Sequence, residues 1–143
     1  MPDSAEPVFV ETSALYALLD RDDRRHAEAA AIWGRLVEEA RPLTTHSYVL
    51  VEAFALVQRR LGPVAVKALQ NDVVPLLDVI WVDEALHRAA TEALLASGSR
   101  AVSLVDWASF AIMRDRGLWA AFAFDDDFRT QGFETLDVPK PAR

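Results

Sequence analysis

Four acidic residues stand where an apolar run ends or a helical segment begins. Glu11 ends the run "PVFVE", and Asp125 follows "AFAF". Glu52 lies early in the helical segment after "PLTT", and Asp106 comes three residues after Ser103, at the spacing of a capping box. A charge at the end of a buried strand must be matched by a partner. These four residues are therefore candidates for one shared site.

The chemistry of such a site follows from the cost of collecting like charges. Neighbouring carboxylates raise one another's pKa and resist ionisation, and a divalent cation removes this conflict. Ligands that are all oxygen suit Mg²⁺ or Mn²⁺, whereas zinc usually takes imidazole or thiolate, and the chain has no cysteine. A magnesium ion keeps several waters and can direct one against a phosphodiester. The acids therefore predict metal-assisted hydrolysis.

Each acid also has an ordinary structural explanation. Glu11 alone could pair with an arginine, Glu52 alone could be a surface residue of its helix, and Asp106 alone could complement the helix dipole. The run from Asp125 to Asp127 is typical of a solvated turn that begins a helix. The metal-site interpretation therefore depends on the joint arrangement of the acids.

Several hydroxyl side chains accompany the acids. None of them has the His–Asp pair that would make a nucleophile, so we expect supporting roles, such as binding of water at the metal. These supporting residues are Thr12, Ser13, Thr45 and Ser103.

The elements that would carry these residues alternate in the manner of βαβ units, which predicts a parallel sheet. In such sheets, ligands bind outside the carboxyl ends of the strands, beside the beginnings of the following helices. Five strands are predicted, at 7–10, 42–45, 78–82, 118–124 and 134–138. Helices are predicted at 24–40, 48–61, 84–97 and 104–116, with a short one after Pro63.

Composition favours one globular domain over residues 1–143. The chain is 52% hydrophobic and 26% charged, which is an ordinary globular mixture. It has no apolar run of the roughly 18–20 residues that a membrane span needs. The acidic start "MPDSAEP" is unlike a targeting peptide, so a cytoplasmic location is expected. The four tryptophans are expected in the core or, failing that, at a contact between two copies: Trp33, Trp81, Trp107 and Trp119.

The net charge of −7 argues against a protein that binds nucleic acid by general electrostatic attraction. RNA binding would need local patches, and the main candidates are the pairs Arg24 with Arg25 and Arg59 with Arg60. A further candidate is the series Arg100, Arg114, Arg116 and Arg129. The alternative is that these pairs lie on solvated helix faces.

Four segments together resemble a PIN domain and, within that family, the toxin ribonucleases of the VapC type. They are "VFVETSAL", "TTHSYVLVEAFAL", "SLVDWASFAIMRDRG" and "AFAFDDDFRTQGF", in the family's order over nearly the whole chain. The resemblance implies a Rossmann-like three-layer α/β/α sandwich with a five-stranded parallel sheet. It implies catalytic acids at Glu11, Glu52, Asp106 and Asp125, and metal ligands at Glu11, Asp106, Asp125 and Asp127.

The same resemblance implies a toxin of a type II toxin–antitoxin pair that cleaves RNA with Mg²⁺ or Mn²⁺, commonly as a homodimer. A cognate antitoxin would block the site, often with a basic side chain. One feature departs from the family, because the first acid is typically Asp and here it is Glu11. The extra methylene moves the carboxylate by roughly 1 Å, and magnesium tolerates little error in the positions of its oxygen ligands. The alternative function is therefore a catalytically weakened PIN module that acts through protein or RNA binding.

A phosphoacceptor receiver domain also has a parallel sheet with acids at its edge. That fold needs paired acids after the first strand and a lysine after the fifth. The chain has a lone Glu11 there and only two lysines, Lys67 and Lys140, so this interpretation is disfavoured.

Overall fold

The computed structural model describes residues 6–137, which form a five-stranded parallel sheet in the order β3-β2-β1-β4-β5. The order reverses beside β1, because β2 and β3 extend from one side of it and β4 and β5 from the other. The strands are β1 (Val8–Val10), β2 (Leu43–His46), β3 (Asp78–Ile80), β4 (Ala120–Phe122) and β5 (Glu134–Thr135).

Helices connect the strands and complete the α/β fold. The fourth helix continues beyond its α-helical part in π and then 3₁₀ form, at Leu69–Val73 and Val74–Leu76. The α-helices are α1 (Thr12–Leu19), α2 (His26–Glu38), α3 (Ser47–Leu61), α4 (Pro63–Ala68), α5 (Glu84–Ser97), α6 (Leu104–Arg116) and α7 (Asp127–Thr130).

Strand β1 is the centre of the core. Val8, Phe9 and Val10 are all fully buried, although successive side chains in a strand point to opposite faces of the sheet. Both faces of the sheet are therefore covered, which is the three-layer α/β/α sandwich expected from the sequence. None of the helices within residues 6–137 is long and apolar enough to cross a membrane.

Helices that begin directly at strand ends bring polar residues to one edge of the sheet. Glu11 follows β1 and caps α1, and His46 ends β2 and caps α3. Ser103 and Asp106 form the predicted capping box at the start of α6. The carboxyl ends of the strands and the amino ends of these helices therefore share one edge.

The structure differs from the sequence-based prediction at several elements. Helix α1 was not predicted, since its apolar residues continue the run of β1 without a turn. Strand β4 ends at Phe122, so Asp125 lies three residues beyond it, in the irregular segment before α7. Strand β5 ends at Thr135, and the predicted residue 138 and the tail after it lie outside the described residues.

Two of the four tryptophans contradict the expectation of a buried core position. Trp81 is 74% exposed and Trp119 is 52% exposed. Trp81 follows β3, which is an edge strand and has a neighbouring strand on one side only. Trp33 and Trp107 are partly buried and pack against the core as expected.

Candidate active site

Three carboxylates meet at the point where the strand order reverses. One oxygen from each of Glu11, Asp106 and Asp125 lies within 4.8 Å of the others. Glu11 follows β1, Asp125 follows the adjacent β4, and Asp106 comes from the first turn of α6. We call these three residues the acid triad. It occupies the crevice in which open α/β sheets bind ligands.

Each member of the triad is held by a backbone N–H close to it in sequence. Ser13 donates its N–H to Glu11 Oε2 at 2.8 Å, and Ser103 donates its N–H to Asp106 Oδ2 at 3.2 Å. Asp127 donates its N–H to Asp125 Oδ1 at 2.9 Å. These bonds orient all three carboxylates, and among residues 6–137 they leave the second oxygen of each for another ligand.

The Ser13 hydroxyl connects the triad to the next strand. It donates a second bond to Glu11 Oε2 and accepts the N–H of Phe124 at 2.9 Å. The Glu11 N–H also donates to the carbonyl of Phe122, so β1 and β4 stay paired up to the triad. The longer side chain of glutamate therefore reaches the triad as the cap of α1, a position that usually takes Ser, Thr, Asp or Asn.

Burial makes the triad unfavourable in its charged form. Loss of solvent raises the pKa of Glu11 to about 8, against the bonds from Ser13, and the charges of Asp106 and Asp125 raise it further. Burial likewise raises the pKa of Asp106 to about 6, opposed by its bonds with Ser103. Two acids that resist ionisation near neutral pH need a cation to hold their charge.

The donor set fits a hard divalent cation. The triad offers oxygen atoms only, close together and oriented, which matches the preference of Mg²⁺ and Mn²⁺. No histidine belongs to a metal-binding group of this kind within residues 6–137, as zinc would usually require.

The other two predicted acids do not belong to the triad. Glu52 is exposed on α3, and Asp127 lies at the start of α7 with its pKa raised by partial burial and by its hydrogen bond with Asp125. Neither belongs to the group whose oxygens lie within 4.8 Å. The structure thus places Glu11, Asp106 and Asp125 together and leaves Glu52 and Asp127 outside the triad, and we call these two residues the rim acids.

The supporting hydroxyls are placed in different ways. Ser13 and Ser103 hold Glu11 and Asp106, as described above. The buried hydroxyl of Thr45 donates to the carbonyl of Val10 at 2.8 Å and so ties β2 to the end of β1. The buried hydroxyl of Thr12 finds no hydrogen-bond partner among residues 6–137.

Comparison with known proteins agrees with this arrangement. Residues 8–134 match the PIN domain. The chain belongs to the PIN-domain family. It is 36% identical over 129 residues to the 23S rRNA-specific endonuclease VapC20 of two Mycobacterium tuberculosis strains, CDC 1551 and H37Rv, covering 88% of this chain and 95% of the relative.

Two solved structures are similar to this PIN domain. The crystal structure of Mycobacterium tuberculosis VapC20, described as a Sarcin-Ricin loop cleaving toxin, has a TM-score of 0.80 at 34% identity, covering 91% of this chain and 98% of that one. FitAcB of Neisseria gonorrhoeae has a TM-score of 0.64 at 15% identity, covering 91% and 96%. The second likeness concerns the fold alone.

Sequence reasoning gave no special role to His46, which the structure places in the core of the PIN domain beside the site. Its Nε2 donates to the Ser109 hydroxyl at 2.8 Å, and that hydroxyl donates to the carbonyl of Val105. Burial lowers the pKa of His46 to about 4, so the ring is neutral, and its Nδ1 accepts the N–H of Val49. His46 therefore joins the start of α3 to α6, one turn beyond Asp106. A histidine directly after "LTT" at the strand end is the only sequence signal for this role.

Two of the candidate RNA-binding arginines contact aromatic rings in or beside α1. Arg25 is over the ring of Phe124 at 5.3 Å, and Arg60 is over the ring of Tyr16 at 5.5 Å. Arg24 and Arg59 are their exposed neighbours in the chain. Each predicted pair therefore has one guanidinium over an aromatic ring.

Proposed function

We propose that the protein is a metal-dependent endoribonuclease and the toxin component of a type II toxin–antitoxin pair. The observation that carries the proposal is the acid triad, in which Glu11, Asp106 and Asp125 each keep one oriented oxygen for a cation. The relationship to an rRNA-specific endonuclease supports RNA as the substrate. Because that relative acts on 23S rRNA, the sarcin–ricin loop is the first substrate to test.

The triad would hold Mg²⁺ or Mn²⁺. When bound, such a cation neutralises charge on the phosphate and lowers the pKa of a bound water. The reaction is attack of water on phosphorus, with cleavage of the bond from phosphorus to the 3′ oxygen, leaving a 5′-phosphate and a 3′-hydroxyl. Ser13, Ser103 and the N–H of Asp127 keep the carboxylates in place during this step.

The rim residues complete the proposal. We assign to Glu52 and Asp127 the orientation of water or of a second hydrated cation, because they are acids outside the triad itself. Arg24, Arg25, Arg59 and Arg60 bind the RNA backbone, because the net charge of −7 leaves attraction of RNA to local patches.

A cognate antitoxin is the proposed protein partner. The uncompensated charge of the triad makes it a site for a basic side chain, which would replace the cation and stop cleavage. We place the activity in the cytoplasm, where ribosomal RNA is found, and we expect residues 1–143 to act as a single PIN domain.

The face around Trp81 supports a homodimer. Trp81 forms a ridge between two cavities, one of about 490 Å³ that Leu86 and Ile112 line and one of about 560 Å³ that Val51 and Phe54 line. In an isologous contact the same surface supplies both the ridge and the groove. Light scattering should report a dimer that Trp81→Lys converts to a monomer, while Trp119→Lys, at another exposed tryptophan, leaves it intact. A dimer that survives Trp81→Lys would contradict this assignment.

The catalytic proposal is tested with full-length protein purified free of antitoxin. We expect cleavage of ribosomal RNA in Mg²⁺ or Mn²⁺, none with a chelator, and recovery when the metal is returned. End-labelling should find 5′-phosphate termini. Absence of cleavage in either metal, with activity restored by Glu11→Asp, would instead favour the weakened PIN module.

A further inference from the structure

A groove with aromatic walls opens beside the acid triad. It has a volume of about 280 Å³ and is lined by Ser13, Tyr16, Arg24, Arg25 and Phe124, with α1 on one side and the segment after β4 on the other. We call it the aromatic groove. We infer that it binds the base of a nucleotide adjacent to the cleaved phosphodiester, which rests on the proposed ribonuclease function and deepens it.

The groove is connected to the triad through Ser13. Its hydroxyl lines the groove, donates to Glu11 and accepts the N–H of Phe124 at 2.9 Å. A nucleotide whose phosphate lies at the triad therefore has this groove within reach of its own or its neighbour's base. A single side chain, Ser13, therefore separates the aromatic groove from the acid triad.

The aromatic rings in the groove are held in place. The hydroxyl of Tyr16 donates to Asp20 at 2.8 Å, and the guanidinium of Arg60 lies over the ring. Phe124 packs edge to face against Phe122. Because both rings are fixed before binding, stacking of a base costs little side-chain entropy.

The charges of the groove favour RNA over a protein. Arg24 and Arg25 line the groove and Arg60 lies over Tyr16, in a chain of net charge −7. Asp23 and Glu28 offset part of this charge, and Glu28 pairs with Arg25 at 3.2 Å. Guanidinium groups beside aromatic rings suit a base with its phosphates. The same groups disfavour a basic protein segment inside the groove itself.

The test compares two versions of one RNA substrate, intact and abasic at the nucleotide on either side of the cleaved bond. For the wild-type protein, removal of one of these bases should lower kcat/KM by on the order of 10-fold. In Phe124→Leu and Tyr16→Leu the intact RNA should be cut about as slowly as the abasic one, so the penalty for base removal disappears. Trp119→Leu, a matched change at an exposed tryptophan, should keep the full penalty.

Binding provides a readout that does not need cleavage. Asp106→Asn protein is titrated with the intact and abasic RNAs, with and without Phe124→Leu, and anisotropy gives the affinities. Cleavage whose abasic penalty is unchanged in both groove variants overturns the groove assignment and leaves the ribonuclease proposal standing. If binding depends on the base and on Phe124 but the wild type does not cleave the RNA, the groove assignment stands and the ribonuclease proposal is overturned.

A folding defect is distinguished from lost recognition by the abasic substrate itself. A variant that is merely unstable loses activity on both RNAs in proportion, so the ratio of the two rates stays at its wild-type value. That result in both variants counts against the groove. A groove that binds antitoxin instead would give a loss of antitoxin affinity in Phe124→Leu with an unchanged ratio.

Discussion

We call Glu11 and Asp106 the floor of the site, and the rim acids Glu52 and Asp127 carry the same chemical group in more exposed surroundings. At the floor, Glu11 and Asp106 are buried, fixed by backbone N–H groups and raised in pKa. At the rim, Glu52 is exposed on α3 and Asp127 is only partly covered. Exposed carboxylates are common and cost the fold little, whereas buried ones are retained at a cost in stability. We therefore attribute the burial of Glu11 and Asp106 to function, because it lowers the stability of the fold.

Loss of a floor acid should have the largest effect. Asp106→Asn keeps the shape of the side chain but removes a charged ligand, so kcat/KM should fall by on the order of 10³-fold or more. Glu52→Gln at the rim should cost about 10–100-fold, as expected for a group that acts through water. Cleavage rates at saturating Mn²⁺ measure both.

Calorimetry of Mn²⁺ binding provides the control. Asp106→Asn should weaken metal binding strongly, and Glu52→Gln should change it little. If Glu52→Gln abolishes metal binding as Asp106→Asn does, the division into floor and rim is wrong.

The pH dependence of stability should reveal the cost of burying the two floor acids. Between its ordinary pKa of 4.5 and about 8, Glu11 holds a proton in the folded chain and none in the unfolded chain. The metal-free protein should therefore lose stability as pH rises through this window, and Asp106 adds a loss in the same direction up to about pH 6. Saturating Mn²⁺ should remove the slope, because the cation takes the place of the protons.

Glu11→Gln tests the cause of that slope. Without metal, the variant should be more stable than the wild type at pH 8–9, by on the order of 2–3 kcal/mol. With saturating Mn²⁺ the order should reverse. Thermal melts with chelator and with metal, from pH 5 to 9, give both comparisons. If the metal-free stability of the wild type does not change between pH 5 and 9, burial does not raise the pKa of Glu11 in the folded protein.

Sequence reasoning was strongest where a charge conflicts with its surroundings. The five strands and the placement of Glu11 and Asp125 follow from apolar runs that are followed by acids, and the capping-box spacing to Ser103 places Asp106 at a helix start on the same edge. Helix α1 was missed because its apolar residues extend those of β1 without a Gly or Pro to separate them.

Side-chain direction marks the limit of what the sequence could predict. Glu52 fits the family pattern as well as Asp106 does, yet a helical position fixes neither how far a flexible side chain extends nor whether it is covered. Trp81 was expected in the core because it lies within the predicted strand 78–82, whereas β3 ends at Ile80 and is at the edge of the sheet, which leaves Trp81 exposed. The order of strands is a tertiary property that these local patterns do not contain.

Shortening the first acid should have an intermediate effect. In Glu11→Asp the carboxylate is drawn back by roughly 1 Å, while an Asp can still cap α1. Because magnesium tolerates less geometric error than manganese, we expect the ratio of Mg²⁺-supported to Mn²⁺-supported cleavage to change by about tenfold in favour of Mg²⁺. An unchanged ratio would mean that the contact with Ser13 already places the glutamate oxygen where magnesium needs it.

The smallest effect is expected from the bond between His46 and Ser109, which lies under the floor but touches none of its acids. Ser109→Ala leaves the Nε2–H of a buried histidine without its acceptor, which should cost about 1–3 kcal/mol of unfolding free energy in urea. Asp106 keeps its own bonds to Ser103, so kcat/KM should stay within about threefold of the wild type under conditions where the variant is folded. A loss of cleavage much greater than this, with Mn²⁺ affinity reduced in parallel, would mean that α6 is positioned by the His46 bond rather than by its own cap. His46 and Ser109 would then belong to the residues that position the floor acids.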